Sequence, residues 1–214
     1  GAAVFTEAPS YLKFLQLFPS AGMRLLGIPM DEEGLQYWKI ASYLKPNRRQ
    51  NAAILYTIPT NQNPTGRTMS EQRRQGLIQF CSENRLPIIE DGAYQDLCFG
   101  KVPTPLKAFD QNGIVLYLGS ASKTLAPGLR IGWVIAPEPI VQRLGDVKMQ
   151  MDYGASSISQ WIFAEFLSGG LHETYLKTLK QTLRQRRDSA LAVLEKHYKD
   201  LAVWRRPEGG FYIW

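Results

Sequence analysis

Apolar and polar positions along this chain alternate on two different periods. Short apolar runs bounded by turn residues read as buried strands at Ala3–Thr6, Met23–Ile28, Ala52–Ile58, Ile88–Glu90, Ile114–Leu118 and Ile131–Ala136. Between them lie stretches with apolar residues three and four apart, which predict helices over Ser10–Phe18, about Leu35–Leu44, and from Ser70 to about Asn84. Asn47–Asn51 reads as a polar loop. Pro137-Glu138-Pro139 opens a further helix, Ile158–Leu167 makes another, and a long one runs from about Leu171 to His197. Strands alternating with helices predict an α/β fold, a mostly parallel sheet flanked by helices. Leu201–Trp204 and Phe211–Trp214, around Pro207–Gly210, read as strands of a smaller α+β domain. Residues 1–170 are thus expected to form a large domain, and residues 171–214 a bridging helix and the start of the small one. A first strand with almost no lead and a last strand ending at Trp214 read as a piece cut at both ends. We find no internal repeat, low-complexity tract or flexible linker.

Composition narrows the class without naming a function. The chain has 214 residues, 44% of them hydrophobic, enough for a sizeable core. No apolar run approaches the roughly twenty residues of a membrane span, and no secretory pattern opens the sequence. Cys81 and Cys98 are too few for a disulfide framework or a metal site, and read as reduced thiols of a cytoplasmic protein. His172 and His197 lie in helical surroundings without ligand spacing. The net charge of +6 could signal nucleic acid, but much of the excess lies in Lys177–Arg187, KTLKQTLRQRR, which reads as the solvated face of a helix.

Candidate chemistry concentrates in Gly119–Trp133, GSASKTLAPGLRIGW. A lysine amine serves Schiff-base chemistry when its surroundings favour the neutral form. Lys123 follows the buried run Ile114–Leu118, near the carboxyl end of a strand, where open α/β sheets place ligands. Ser120, Ser122 and Arg130 supply hydroxyls and a fixed positive charge suited to a phosphate. A lysine beside a phosphate site is the minimal pattern for pyridoxal phosphate (PLP). Two more strand ends add to it: Thr60–Gly66, TNQNPTG, and Pro87–Tyr94, PIIEDGAY. Each residue has a plainer reading: Lys123 as a solvated lysine, Asp91 as a cap or turn residue, Asn63 as turn chemistry before Pro64, Ser122 as a cap.

Taken together, the motifs resemble those of the class I/II aminotransferases, the fold-type I PLP-dependent enzymes. Asn63 precedes Asp91 by 28 residues, Asp91 precedes Tyr94 by 3 and Lys123 by 32, and Lys123 precedes Arg130 by 7. The resemblance implies PLP as cofactor and a homodimer whose sites are completed across the subunit interface. It implies that Asp91 pairs with the pyridine nitrogen and that Asn63 and Tyr94 hydrogen-bond the phenolic oxygen. Lys123 would be the Schiff-base lysine and general base, with Ser120, Arg130 and, less directly, Ser122 on the phosphate. It further implies flanking portions outside this chain. The N-terminal one carries another phosphate loop, a ring-stacking aromatic and dimer contacts, and the C-terminal one an arginine for the substrate carboxylate. The 214 residues alone are therefore expected to be inactive.

Finer details resemble the aminotransferase-like domain of MocR-type regulators of the GntR superfamily: Tyr11–Ile28 with PMDEEG, SKTLAPGLRIGW, MDYGASSISQ and Gly169–Arg187. That resemblance implies sensing of an amino acid or amine through Schiff-base exchange at Lys123. DNA would be contacted only through a winged-helix domain outside this chain. The alternative is a stand-alone aminotransferase moving an amino group between an amino acid and a 2-oxo acid, with the same residues. A third reading, a degenerate fold kept for dimerisation, predicts damaged cofactor positions, and Asn63, Asp91, Tyr94, Lys123 and Arg130 are all intact.

Overall fold

Seven strands hydrogen-bond into one sheet in a computed structural model that describes residues 2–44 and 52–214. The loop expected at Asn47–Asn51 lies outside the described residues. The strands are β1 (Ala3–Ala8), β2 (Arg24–Asp31), β3 (Gly34–Leu35), β4 (Ala53–Thr57), β5 (Ile88–Asp91), β6 (Val115–Ser120) and β7 (Gly132–Ile135). Their order in the sheet is β3-β2-β1-β4-β5-β6-β7. The inner pairs are parallel, with Val4 opposite Leu25 and Ile54, and Leu55 opposite Ile88. Only the edge strands β3 and β7 run antiparallel. The chain steps outward from β1 to β2, then returns to β4 on the other side of β1. This reversal opens a crevice at the carboxyl ends of β1 and β4, the usual ligand position in such sheets.

Side-chain alternation explains why both faces are covered. Phe5, Leu55 and Ile88 point to one face and pack with Leu77 and Cys81 of α2 (Glu71–Glu83) and Leu106 of the short α3 (Leu106–Phe109). Val4 and Tyr56 point to the other, against Phe18 of α1 (Leu12–Ser20) and Leu183 of α6 (Leu171–Tyr198). The start of α2 is the one read from the sequence: the Ser70 hydroxyl accepts from Arg73 N at 3.2 Å. Two further helices, α4 (Glu138–Met151) and α5 (Ser157–Ser168), follow β7 and carry no buried residue. Trp133 of β7 stacks on Phe163 of α5 at 5.8 Å.

Two expectations are corrected. The helix over about Leu35–Leu44 is instead the short strand β3 followed by a 3₁₀ helix at Tyr37–Tyr43. Tyr37, Ile40 and Tyr43 recur every three residues, so the tighter helix lines them up on one side, where Ile40 is fully buried and Tyr43 meets Phe5. Neither Leu201–Trp204 nor Phe211–Trp214 is a strand. Leu201 N and Ala202 N donate to Tyr198 O, and the stretch between the two segments is tied down instead: Phe99 N donates to Glu208 O, Gly210 N to Leu97 O, and Cys98 and Gly209 form a single antiparallel bridge. The Lys177–Arg187 stretch is mainly solvated within α6, except that Arg187 is buried.

Several ionisable groups lie inside, Arg74, Glu7 and Glu90 among them. Arg74 gives its guanidinium to Met69 O, Thr104 O, Pro59 O and the Thr60 hydroxyl, at 2.7 to 3.2 Å. Glu7 ends β1 at the crevice and accepts from the Thr57 hydroxyl, from Ile58 N at 2.8 Å and from the Ser10 hydroxyl at 3.3 Å. Burial raises its pKa, against the opposing pull of these hydrogen bonds. The folded chain therefore keeps this proton to higher pH than the unfolded chain, whose glutamate titrates near 4.5. Stability contributed by neutral Glu7 is complete below that value and is lost as pH rises toward the raised folded pKa. Glu7→Gln cannot ionise, so relative to the parent it should gain stability between about pH 4 and about pH 8. Denaturant titrations at the two pH values test this, and a constant difference would show that Glu7 titrates normally.

Candidate cofactor site at the strand ends

The loop after β4 is polar in sequence and buried in the structure. Thr60, Asn61, Gln62, Asn63 and Thr65 are each at most 8% exposed. Buried polar groups need partners, and these come from several parts of the chain. The Thr60 hydroxyl donates to Gln95 Oε1 at 2.8 Å. Asn61 Nδ2 donates to Tyr94 O at 2.9 Å and contacts Cys98 Sγ at 3.4 Å. Gln62 donates to Pro9 O at 3.0 Å and accepts from both the amide and the hydroxyl of Thr65. Asn63 Nδ2 donates to the hydroxyls of Tyr94, at 3.1 Å, and Tyr212, at 2.9 Å. The two hydroxyls are themselves 2.9 Å apart.

Asp91 closes β5, one strand over. Its Oδ1 accepts from Ala93 N at 3.0 Å, so the turn role weighed from the sequence is real. Its Oδ2 accepts from the hydroxyl of Tyr56 at 2.6 Å. Tyr56 is fully buried, and burial together with the Asp91 charge pushes its hydroxyl well above the usual tyrosine range, keeping it a donor. Phe14 of α1 stacks on the Tyr56 ring at 4.2 Å and fixes its plane. Only glycine fits at position 92, because the Tyr117 hydroxyl occupies the space a Cβ would need.

The lysine loop leaves the neighbouring strand. Gly92 N donates to Leu118 O at 2.8 Å, tying the β5 end to β6. Ser120 is the last residue of β6, opposite Gly132 of β7, and its hydroxyl accepts from Ser122 N at 3.1 Å. Lys123 lies half-buried in the turn closed by Leu125 N and Ala126 N on Ala121 O. Arg130 is exposed, has a left-handed backbone (φ 56°), and lies 3.4 Å from Pro127 O. The structure thus joins Asn63 to Tyr94 directly and sets Asp91 beside them. Ser120, Ser122, Lys123 and Arg130 share the sheet edge, on a separate loop. Among the described residues no hydrogen bond links that loop to Asn63, Asp91 or Tyr94.

Two residues of this arrangement escaped the sequence reading. Tyr56 sits in an apolar run that reads as core, with nothing to mark its hydroxyl. Tyr212 lies in a segment read as a strand of another domain, 118 residues from Tyr94. The glycines before it were its one signal. A Cβ at Gly209 would lie 2.7 Å from Leu97 O and 2.8 Å from Cys98 Cα, besides striking the Asn61 side chain. That close approach brings the C-terminal segment onto the polar loop.

A carboxylate, an amide–hydroxyl pair, an amine and two serines with an arginine, all at the carboxyl edge of one parallel sheet, form a donor set that suits PLP. Asp91 accepts two hydrogen bonds and so retains lone pairs for a third partner. The fold is that of the PLP-dependent aminotransferases. Kynurenine aminotransferase of Pyrococcus horikoshii, solved with PMP, KYN and KYA, superposes with a TM-score of 0.92 at 35% identity, over 98% of this chain and 53% of that one. The sequence profile of the class I and II aminotransferases matches residues 1–214, and the chain belongs to that family. An uncharacterized HTH-type transcriptional regulator of Bacillus subtilis, YisV, is 53% identical over 215 residues, which take in 100% of this chain and 44% of the relative. Aromatic-amino-acid aminotransferase 1 of Thermococcus litoralis is 36% identical over 217 residues, 100% of this chain and 52% of the enzyme. The chain spans about half the length of the curated relatives it matches.

Removing the Tyr56 hydroxyl leaves Asp91 with one donor fewer in a partly buried setting. Tyr56→Phe should cost about 1.5–3 kcal/mol, as for a hydrogen bond to a charged group. Denaturant unfolding at neutral pH measures it, and a loss under about 0.5 kcal/mol would mean that the bond is exchanged for water.

Proposed function

We propose that this chain is a PLP-binding domain carrying its cofactor as a Schiff base on Lys123, and that it senses an amino acid or amine for a MocR/GntR-type transcriptional regulator. The observation that carries the regulator reading is the 53% identity to an HTH-type regulator over the whole chain, against 36% to an aminotransferase. On this reading residues 1–170 belong to the large cofactor-binding domain, and residues 171–214 begin the small one. The protein works in the cytoplasm as a homodimer and meets DNA through a domain outside these residues. Among the described residues no helix is long and apolar enough to cross a membrane.

When bound, PLP supplies an electron sink next to the amine being sensed or transferred. The protein's own groups do the rest. Lys123 would hold the cofactor's carbonyl carbon through its Nζ. Asp91 favours a protonated pyridine nitrogen, while Tyr56 holds its carboxylate in place. Tyr94 would donate to the ring oxygen, and Asn63, whose Nδ2 donates to the Tyr94 hydroxyl, would hold it in place. Ser120, Ser122 and Arg130 would hold the phosphate, with Arg130 as its fixed charge. When not bound to the cofactor, the Lys123 amine would serve as the base for a proton on the ligand's α-carbon.

The second reading is a stand-alone aminotransferase. The 36% identity to the Thermococcus enzyme and the 0.92 TM-score to the Pyrococcus one support it. Both readings require the full-length protein with PLP to show an imine absorption band that Lys123→Ala abolishes. A band that survives the substitution removes Lys123 from the role. Amino donors then separate the readings. A sensor exchanges the amine but releases little keto acid and binds its own promoter, whereas an enzyme accumulates keto acid and ignores that DNA.

A further inference from the structure

Asn63 Nδ2, Tyr94 OH and Tyr212 OH form a closed triangle with sides of 3.1, 2.9 and 2.9 Å. Two hydrogens on the amide nitrogen and one on each hydroxyl give the group four to donate. The triangle uses three of them: two from Asn63, and one passed between the tyrosines. The remaining hydroxyl hydrogen must point outward. Which tyrosine carries it depends on which donates to the other.

The cofactor reading decides the direction. Tyr94 is 4% exposed and Tyr212 half-buried, and either hydroxyl could donate to the other. Tyr94 has one hydrogen, and on that reading it goes to the ring oxygen of PLP, so Tyr212 donates and Tyr94 accepts. Tyr212 is also delivered to this spot by contacts of its own. Gly210 N donates to Leu97 O at 3.1 Å, Arg187 holds Pro207 O at 2.8 Å, and the two tyrosine rings meet edge-on at 5.6 Å.

The geometry points to Tyr212 as a positioning residue: by donating to the Tyr94 oxygen it turns the Tyr94 hydrogen out of the triangle, toward the phenolic oxygen of PLP. This rests on the cofactor reading above and adds to it a residue from the C-terminal segment. A donor to that oxygen disperses the negative charge that otherwise holds the imine proton, so it lowers the imine pKa. Losing the Tyr212 hydroxyl weakens Tyr94 as a donor, and the imine pKa rises.

The test follows the imine band against pH in the full-length protein with PLP. Tyr212→Phe should raise the apparent pKa by about half to one pH unit, the effect of one weakened neutral hydrogen bond. Tyr212→Leu, which also loses the ring, should raise it by the same amount if the hydroxyl is the agent. In a Tyr94→Phe background, Tyr212→Phe should add nothing, because its effect passes through the Tyr94 hydroxyl. An unchanged pKa in Tyr212→Phe, with a band that still depends on Lys123, overturns the role of Tyr212 and leaves the cofactor reading standing. A full effect persisting without the Tyr94 hydroxyl also overturns it. A parent protein with no Lys123-dependent band removes both.

Discussion

Everything at the candidate site depends on a polar loop being buried. Thr60–Thr65 could have stayed in water at no cost. Folded inward, each unpaired amide or hydroxyl would cost about 1–3 kcal/mol. The partners come from the end of β1, from Arg74 in α2, from the turn after β5 and from the segment around Gly209–Tyr212. A loop satisfied from so many directions has one arrangement, and that fixes where Asn63 points. The loop is held because most of its polar groups have partners; the buried Asn61 Oδ1 has no hydrogen-bond partner among the described residues.

The sheet was legible because its strands read as short apolar runs, most fully buried in the central β1, β4 and β5. Six strands and the helices α1, α2, α4, α5 and α6 fall close to where the hydrophobic pattern puts them. The pattern failed where packing or pairing overrides it. Tyr37–Tyr43 has helix-like spacing but coils more tightly around Ile40. The two C-terminal runs have strand character and find no partner for a ladder among the described residues. At the site, the residues flanked by Gly, Pro or Asn stood out, since those residues mark unusual backbone. Tyr56 and Tyr212 did not, because a tyrosine in an apolar run looks like core until its hydroxyl is given a partner. Asp91 keeps the plain turn reading on one oxygen, and on the other takes a bond from Tyr56 that the sequence does not mark.

Sensing and turnover ask different things of the same groups. A sensor needs only that its ligand bind two protein states unequally. An enzyme needs a proton moved and a product released on every cycle. On the cofactor reading proposed above, the residues at the strand ends would carry the chemistry common to both, and the distinction would lie beyond them, in the surface that reads the ligand's other end.

The long helix α6 gives the molecule a lever. Its 28 residues make a rod of about 42 Å, at 1.5 Å per residue. Its buried residues, Leu183 and Arg187, sit near the midpoint, and α5 packs on its first turns through Phe166 against His172 and Tyr175. A tilt of about five degrees about that midpoint carries each end through roughly 2 Å. Arg187, close to that midpoint, grips the carbonyl of Pro207 in the segment that brings Tyr212 to Asn63, so such a tilt moves the helix least where it is tied to the site. The fulcrum is thus tied to the site, and the two ends of the rod carry the displacement.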